Sequence, residues 1–320
     1  MLVAFLVSLL LLLPLRTPAS AYDDALRAKI ESADALDLGG ALASTDRLRA
    51  AYEALDYAPL WIDGEAGRLR AEALLEALRS ADKDGLVPQE YLARWPDANA
   101  AVESSEGALT YELTLTDLFL AHANHLYGGR TSASISSPDI VIPRKRVDVA
   151  AAVRHVRDQN EVRGYHRAIV PQTLQYGSLK KMLAGFRRLA DAGGWPAVSS
   201  GETLKPDMAN PRVLELRANL AARGYGGLDL TDAPDVYDNR LVATVRHFQS
   251  RHGLEADGVV GKMTLAAMNV PADDRVRQIK LNMERWRWLP NELGDWYIMV
   301  NQAAFELRGV RGGVPDMRMN

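Results

Sequence analysis

Residues 211–269 leave few folds open. Val213, Leu216 and Leu220 recur at i, i+3 and i+7, one face of a helix. Gly224 follows the last periodic residue, where a helix commonly ends on a left-handed glycine. Leu241, Val245 and Phe248 repeat the spacing in a second helix, which Gly253 stops. Asp257-Gly258 is a turn signal, because glycine takes positive φ without steric cost. Gly261 opens a third short helix carrying Leu265 and Met268. The pattern predicts three short helices around a core of Leu216, Leu220, Leu241, Val245, Phe248, Leu254 and Leu265.

Phe248-Gln249, Gly253-Leu254, Asp257-Gly258, Gly261 and Thr264 together resemble the FQ…GL..DG..G..T pattern of the peptidoglycan-binding-like domain. The resemblance implies binding of cell-wall glycan strands and stem peptides; the spacing by itself explains only a fold. On that resemblance the candidate binding residues are Arg217, Tyr225, Arg246, Gln249, Asp257 and Gly258. Arg217, Arg223, Arg246 and Arg251 suit carboxylates, which arginine grips with two parallel N–H bonds, although a solvated face is the commoner use of arginine.

The length of 320 residues fits about two or three domains at roughly 100–200 residues each. A net charge of −3 without a basic tail gives no reason to expect nucleic acid. Residues 1–21 read as a secretory signal: Leu2–Leu15 is apolar apart from Ser8, and Ala19-Ser20-Ala21 is a cleavage site of the A-x-A kind. The apolar run is shorter than the ~20 residues of a spanning helix, yet no Lys or Arg precedes it, so a cleaved signal and an uncleaved anchor both stay open. Either way the body is expected outside the cytoplasm, with membrane contact only through such an anchor. The sequence holds no cysteine, so the fold rests on its apolar core, and there is neither a disulfide nor a thiol nucleophile.

Residues 22–200 read as mainly helical. Leu74, Leu75 and Leu78 place one helix at about 66–81. Leu113, Leu115, Leu118, Leu120 and Leu126 place another at about 109–127. Leu179, Met182, Leu183, Phe186 and Leu189 place a third at about 173–192. Residues 131–143 are a polar, Pro-bounded surface loop, and 195–210 a linker with Pro196, Gly201 and Pro206. Trp61 and Trp195 are expected to pack inside. Further on, Val276, Ile279, Met283 and Trp286 predict a helix over 272–289 that Pro290 ends. Trp296–Val300 is a strand by propensity, with Ala304–Val310 as the next.

Several fragments resemble the large, multidomain L,D-transpeptidases of Gram-negative cell walls. Tyr57-Ala58-Pro59-Leu60-Trp61, Asp84-Gly85-Leu86-Val87-Pro88 with Tyr91, Gly128-Gly129-Arg130 and Ala192-Gly193-Gly194-Trp195-Pro196 match their scaffold domain in order. Asn282–Pro290, Val300-Asn301 and Phe305-Glu306-Leu307 resemble the entry into their catalytic domain. The family transfers acyl groups through a cysteine in H…S-x-G-C-x-R, and no such motif exists here. The resemblance therefore implies a periplasmic cell-wall protein that is truncated before its catalytic cysteine and inactive as it stands. The alternative is an active L,D-transpeptidase whose catalytic half lies outside this sequence.

Other chemistry is thinner. Ser80-x-x-Lys83 and Ser178-x-x-Lys181 match the S-x-x-K of serine acyltransferases without the companion S-x-N or K-[ST]-G. His122 and His125 sit one turn apart but lack a third metal ligand, and the plain reading is partly exposed helix polar residues. No cofactor and no metal are expected. The expected fold class is mainly α, in four segments: a signal peptide (1–21), a helical scaffold domain (22–200), a three-helix peptidoglycan-binding-like domain (205–270), and a linker helix with a short terminal β-hairpin (272–320). The segment after Pro290 is expected either to be disordered or to borrow burial from the scaffold helices or a second molecule, and the last dozen residues, with Gly309, Gly312, Gly313 and Pro315, to be disordered in either case.

Overall fold

The computed structural model describes residues 19–32, 45–98, 104–132, 142–229, 231–291, 293–301 and 305–319. The signal-peptide run and most of the 131–143 loop lie outside these residues. The chain is mainly helical, with a small antiparallel sheet near its C-terminal end. No helix among the described residues is long and apolar enough to cross a membrane. Two compact units result: one takes 1–177 and 283–293, the other 178–282 and 294–320.

The first unit contains α1 (Ala19–Glu31), α2 (Thr45–Ala54), α3 (Gly64–Arg79), α4 (Gln89–Leu92), α5 (Ser105–Gly128), α6 (Val149–Gln159) and α7 (Val162–Ile169). It is built on α5. Ser104 caps that helix by accepting from the Gly107 N–H. Apolar residues then surround it on all sides, and every residue from 111 to 124 is buried, as a helix without a polar face must be. The predicted Leu74, Leu78, Leu113, Leu115, Leu118, Leu120 and Leu126 all enter this core.

Burying α5 also buries Glu112, which no reading of the sequence had singled out. Its Oε1 accepts from the Tyr52 hydroxyl (2.9 Å) and the Leu60 N–H (2.6 Å), and its Oε2 from the N–H groups of Trp61 (2.8 Å) and Ile62 (2.9 Å). Burial pushes this carboxyl up from its ordinary pKa, and the backbone donors pull it back. The Tyr57–Trp61 fragment is thus a loop folded round one carboxylate. Arg70 holds the same loop from behind through the Leu60 carbonyl (2.8 Å). Trp61 packs inside and donates to Thr116.

Residues 283–293 complete the first unit. Glu284 Oε1 accepts from the N–H groups of Arg130 (2.6 Å) and Thr131 (2.9 Å), and Oε2 from Arg287 (2.7 Å). Arg287 is 1% exposed and also donates to the Asp84 carbonyl (2.7 Å) and the Tyr176 hydroxyl (3.2 Å). Asn291 accepts from Lys145 and donates to the Ile169 carbonyl. The Gly-Gly-Arg and Asp-Gly fragments therefore meet at this clasp. The helical period placed Met283 and Trp286 but gave no sign of a buried arginine beside them.

The second unit carries α8 (Leu174–Asp191) over most of its length, then α9 (Arg212–Ala222), α10 (Asn239–Arg251), α11 (Lys262–Met268) and most of α12 (Ala272–Trp288). Leu216, Leu220, Leu241, Val245 and Phe248 are fully buried as the spacing predicts, joined by Val213, Tyr237 and Met268. Leu265 is only partly buried, and Leu254 lies outside this core, because it follows the Gly253 turn at the rim. The 195–210 stretch is more than a tether: Leu204 bridges to Val260, and Asn269 bonds both backbone groups of Val198.

The sheet has three strands in the order β1 (Trp296–Asn301), β2 (Glu306–Arg311), β3 (Val314–Met319), each antiparallel to the next. The hairpin expectation falls one strand short, and the last residues form β3 rather than disordered chain. Gly312 and Gly313 have φ of 56° and 79°, the two positive values that a tight hairpin turn demands. Glycines that count toward disorder by composition here make a turn.

Candidate functional site

Helix α10 starts at Asp238, whose side chain accepts from the Leu241 N–H (2.8 Å) and from Arg217 (2.8 Å). Burial pushes the Asp238 carboxyl up, and these donors bring it below its usual range. Arg217 is 7% exposed, and each of its guanidinium nitrogens is engaged, with the carbonyls of Pro234, Leu228 and Val236 and with Asp238. It ties the 228–238 loop to α9.

Gln249 is likewise turned inward, at 1% exposed. Its Nε2 faces Asp257 Oδ1 (2.8 Å), the Val259 carbonyl (3.0 Å) and Thr264 Oγ1 (3.1 Å), while its Oε1 accepts from the Gly258 N–H (2.9 Å). Asp257 Oδ1 accepts in addition from the Val259 N–H, and these donors lower the Asp257 pKa. Tyr237 donates to the Gly258 carbonyl (2.7 Å). The polar letters of the FQ…DG..G..T pattern thus form one hydrogen-bonded knot. Gly258 has φ of +80°, and a Cβ there would stand 2.9 Å from Val242. Gly258→Ala is expected to cost about 1–2 kcal/mol for the left-handed backbone, with the clash added. A urea midpoint unchanged by that substitution would show the knot to be slack.

Of the six candidates, the structure joins four. Gln249, Asp257 and Gly258 share the knot, and Arg246 lies over it on the solvent side, its Nε on the Asp257 carbonyl (3.3 Å). Tyr225 is half-buried on another flank of α10, where His247 meets it edge-to-face at 5.7 Å. Arg240 holds the same loop through the Gly227 carbonyl (2.7 Å). Adjacent helix positions do not share a face, so Arg246 and Tyr225 look out on different sides. Arg217 stands apart with Asp238.

The remaining candidates resolve differently. Arg223 lies over the Trp195 ring at 3.6 Å and donates to Asn219 and the Met268 carbonyl; burial lowers it to about 10. Ser80 spends its hydroxyl on the Ala77 carbonyl at the end of α3. His122 is not a partly exposed helix residue: it is 2% exposed, because α5 has no solvent face there. Among the described residues, no group of three His, Cys, Asp or Glu side chains is placed to hold a metal ion.

Residues 46–183 match the family model of a Scaffold domain, and residues 209–268 that of a peptidoglycan binding domain. The second match coincides with α9–α11 and the knot. No curated protein matches the chain. Together the two matches mark a cell-wall-associated protein.

Proposed function

We propose that this chain is the peptidoglycan-binding and scaffolding portion of an L,D-transpeptidase-like cell-wall remodelling protein of the Gram-negative periplasm. In this reading 22–200 is the scaffold domain, 205–270 binds glycan strands and stem peptides, and 272–320 leads into a catalytic domain. The observation that carries the reading is the knot: the residues that resemble the peptidoglycan-binding pattern build a finished module from 209 to 268. Arg246, Tyr225 and Asp257 remain on its surface, while Arg217, Gln249 and Gly258 serve binding by shaping it. With no cysteine in these residues, the chain binds without transferring acyl groups.

Pelleting with purified sacculi at low salt tests this. The protein is expected to sediment with the wall. Arg246→Glu is expected to weaken binding about tenfold, near 1.4 kcal/mol, by setting a carboxylate against the stem-peptide carboxylates. Wild-type protein left in the supernatant ends the proposal.

The likeness of Asn282–Leu307 to a catalytic-domain entry favours a second reading, in which the chain is the leading part of an active transpeptidase. Mass spectrometry of digested sacculi separates the two. New 3→3 cross-links made by these 320 residues alone would refute the non-catalytic reading.

A further inference from the structure

Three histidines gather in the first unit, and the charges of the 283–293 clasp reach two of them: Arg287 acts on His122, and Arg287 and Glu284 act on His125. His122 and His125 come from α5 and His166 from α7. The His122 and His166 rings meet edge-to-face with centroids 4.6 Å apart. Tyr91 lies 5.2 Å from His122, and its hydroxyl is 2.7 Å from His125 Nδ1. Phe119 and Tyr165 close the far side of His166, and His155 stands beyond Tyr165. Among the described residues, none of the four ring nitrogens of His122 and His166 has a hydrogen-bond partner.

An uncharged imidazole tolerates such a place; an imidazolium does not. The charges around the cluster add to this. Arg287 faces His122, and Arg130, Arg144 and Arg287 face His125, with Glu284 the one carboxylate in opposition. Glu90 acts on Tyr91 from α4 but pairs with Arg130. Burial first, then the neighbouring His166 and His125, and last Arg287 hold His122 well below the ordinary value; burial and then the arginines hold His125 at about 4, and burial alone holds His166 at about 3.

We propose that this cluster is an acid-sensitive latch: protons taken up by His122, His125 and His166 set positive charge against Arg287 and Arg130 and release residues 283–293 from the Gly129–Thr131 turn while the helices of the unit persist. The closed form excludes the protons, and the opened form accepts them at an ordinary imidazole pKa near ~6.5. Closure is therefore fully favoured above that pH and weakens as pH falls, by up to about tenfold per histidine for each unit.

Hydrogen exchange by mass spectrometry on the full chain, corrected for the intrinsic pH dependence and paired with far-ultraviolet circular dichroism, tests the latch. Protection over 283–293 is expected to collapse between about pH 6 and pH 4.5, with a steepness of two to three protons and the helical signal retained. His122→Phe and His166→Phe, made separately, each keep a ring and remove a proton site. Either is expected to move the transition to lower pH and to reduce its steepness by one proton. Should one variant fail to fold, the other and the wild-type steepness still decide. Protection that survives to pH 4, helix loss in the same step, or a folded variant that opens at the wild-type pH would overturn the proposal.

Discussion

Glu112→Gln is expected to destabilise the helical unit by about 3–5 kcal/mol, a large part of the ~5–15 kcal/mol that holds a domain together. The carboxylate is wholly buried and takes four donors, two on each oxygen. An amide keeps one oxygen and turns an NH2 toward the other pair of donors. Two buried N–H groups, or one N–H beside a Tyr52 hydroxyl that can turn to Thr116 Oγ1 (2.7 Å), then face a donor instead of an acceptor, at about 1–3 kcal/mol for each N–H. Glu112→Ala removes all four bonds and adds a cavity, so it is expected to cost at least as much. Urea unfolding followed by circular dichroism measures both. A loss under about 1 kcal/mol for the glutamine variant would mean that the Leu60–Ile62 loop is held by other means.

Phe248→Ala is expected to cost the three-helix module about 3–5 kcal/mol. The ring is fully buried, stacked on His252 with centroids 3.9 Å apart, and covered by the Arg223 guanidinium at 5.3 Å. A small module draws little more than that from its whole core. The helices of α9–α11 should therefore melt at ambient temperature while the first unit keeps its own transition. Two unchanged melting steps in a calorimetric scan would show that the core collapses round the missing ring.

How far the sequence could be read depended on what each residue does. Periodic leucines placed α3, α5, α8, α9 and α10 because burying one stripe is a repeated, local demand. The FQ…DG..G..T residues were legible as a pattern, yet their roles were not. Whether Gln249 faces solvent or the Gly258 N–H depends on a turn eight residues on, and spacing does not carry that. Arg217 misleads in the same way: a surface arginine and one that binds three carbonyls look alike in the chain. Glu112 did leave a signal: it is one of two acids, with Asp117, inside a mostly apolar helix, and a buried carboxylate calls for internal donors. Arg287 and His166 left none, since their partners lie far off in sequence. The third strand was missed because glycine counts equally toward disorder and toward a turn, and only the pairing of Val314 with Arg311 decides between them.

The first unit is discontinuous: it closes only when Glu284 meets Arg130, 154 residues away. That sets an order of assembly. During synthesis at ~5–20 residues per second, α1–α7 must wait on the order of 5–20 s for their last piece while residues 178–282 are made. Those residues have a core of their own and are expected to be folded by then. Early intermediates should therefore show α5 docked but the Gly129–Thr131 turn open. A chain cut at 177 would hold them there, exposing to chaperones the surface that 283–293 normally covers.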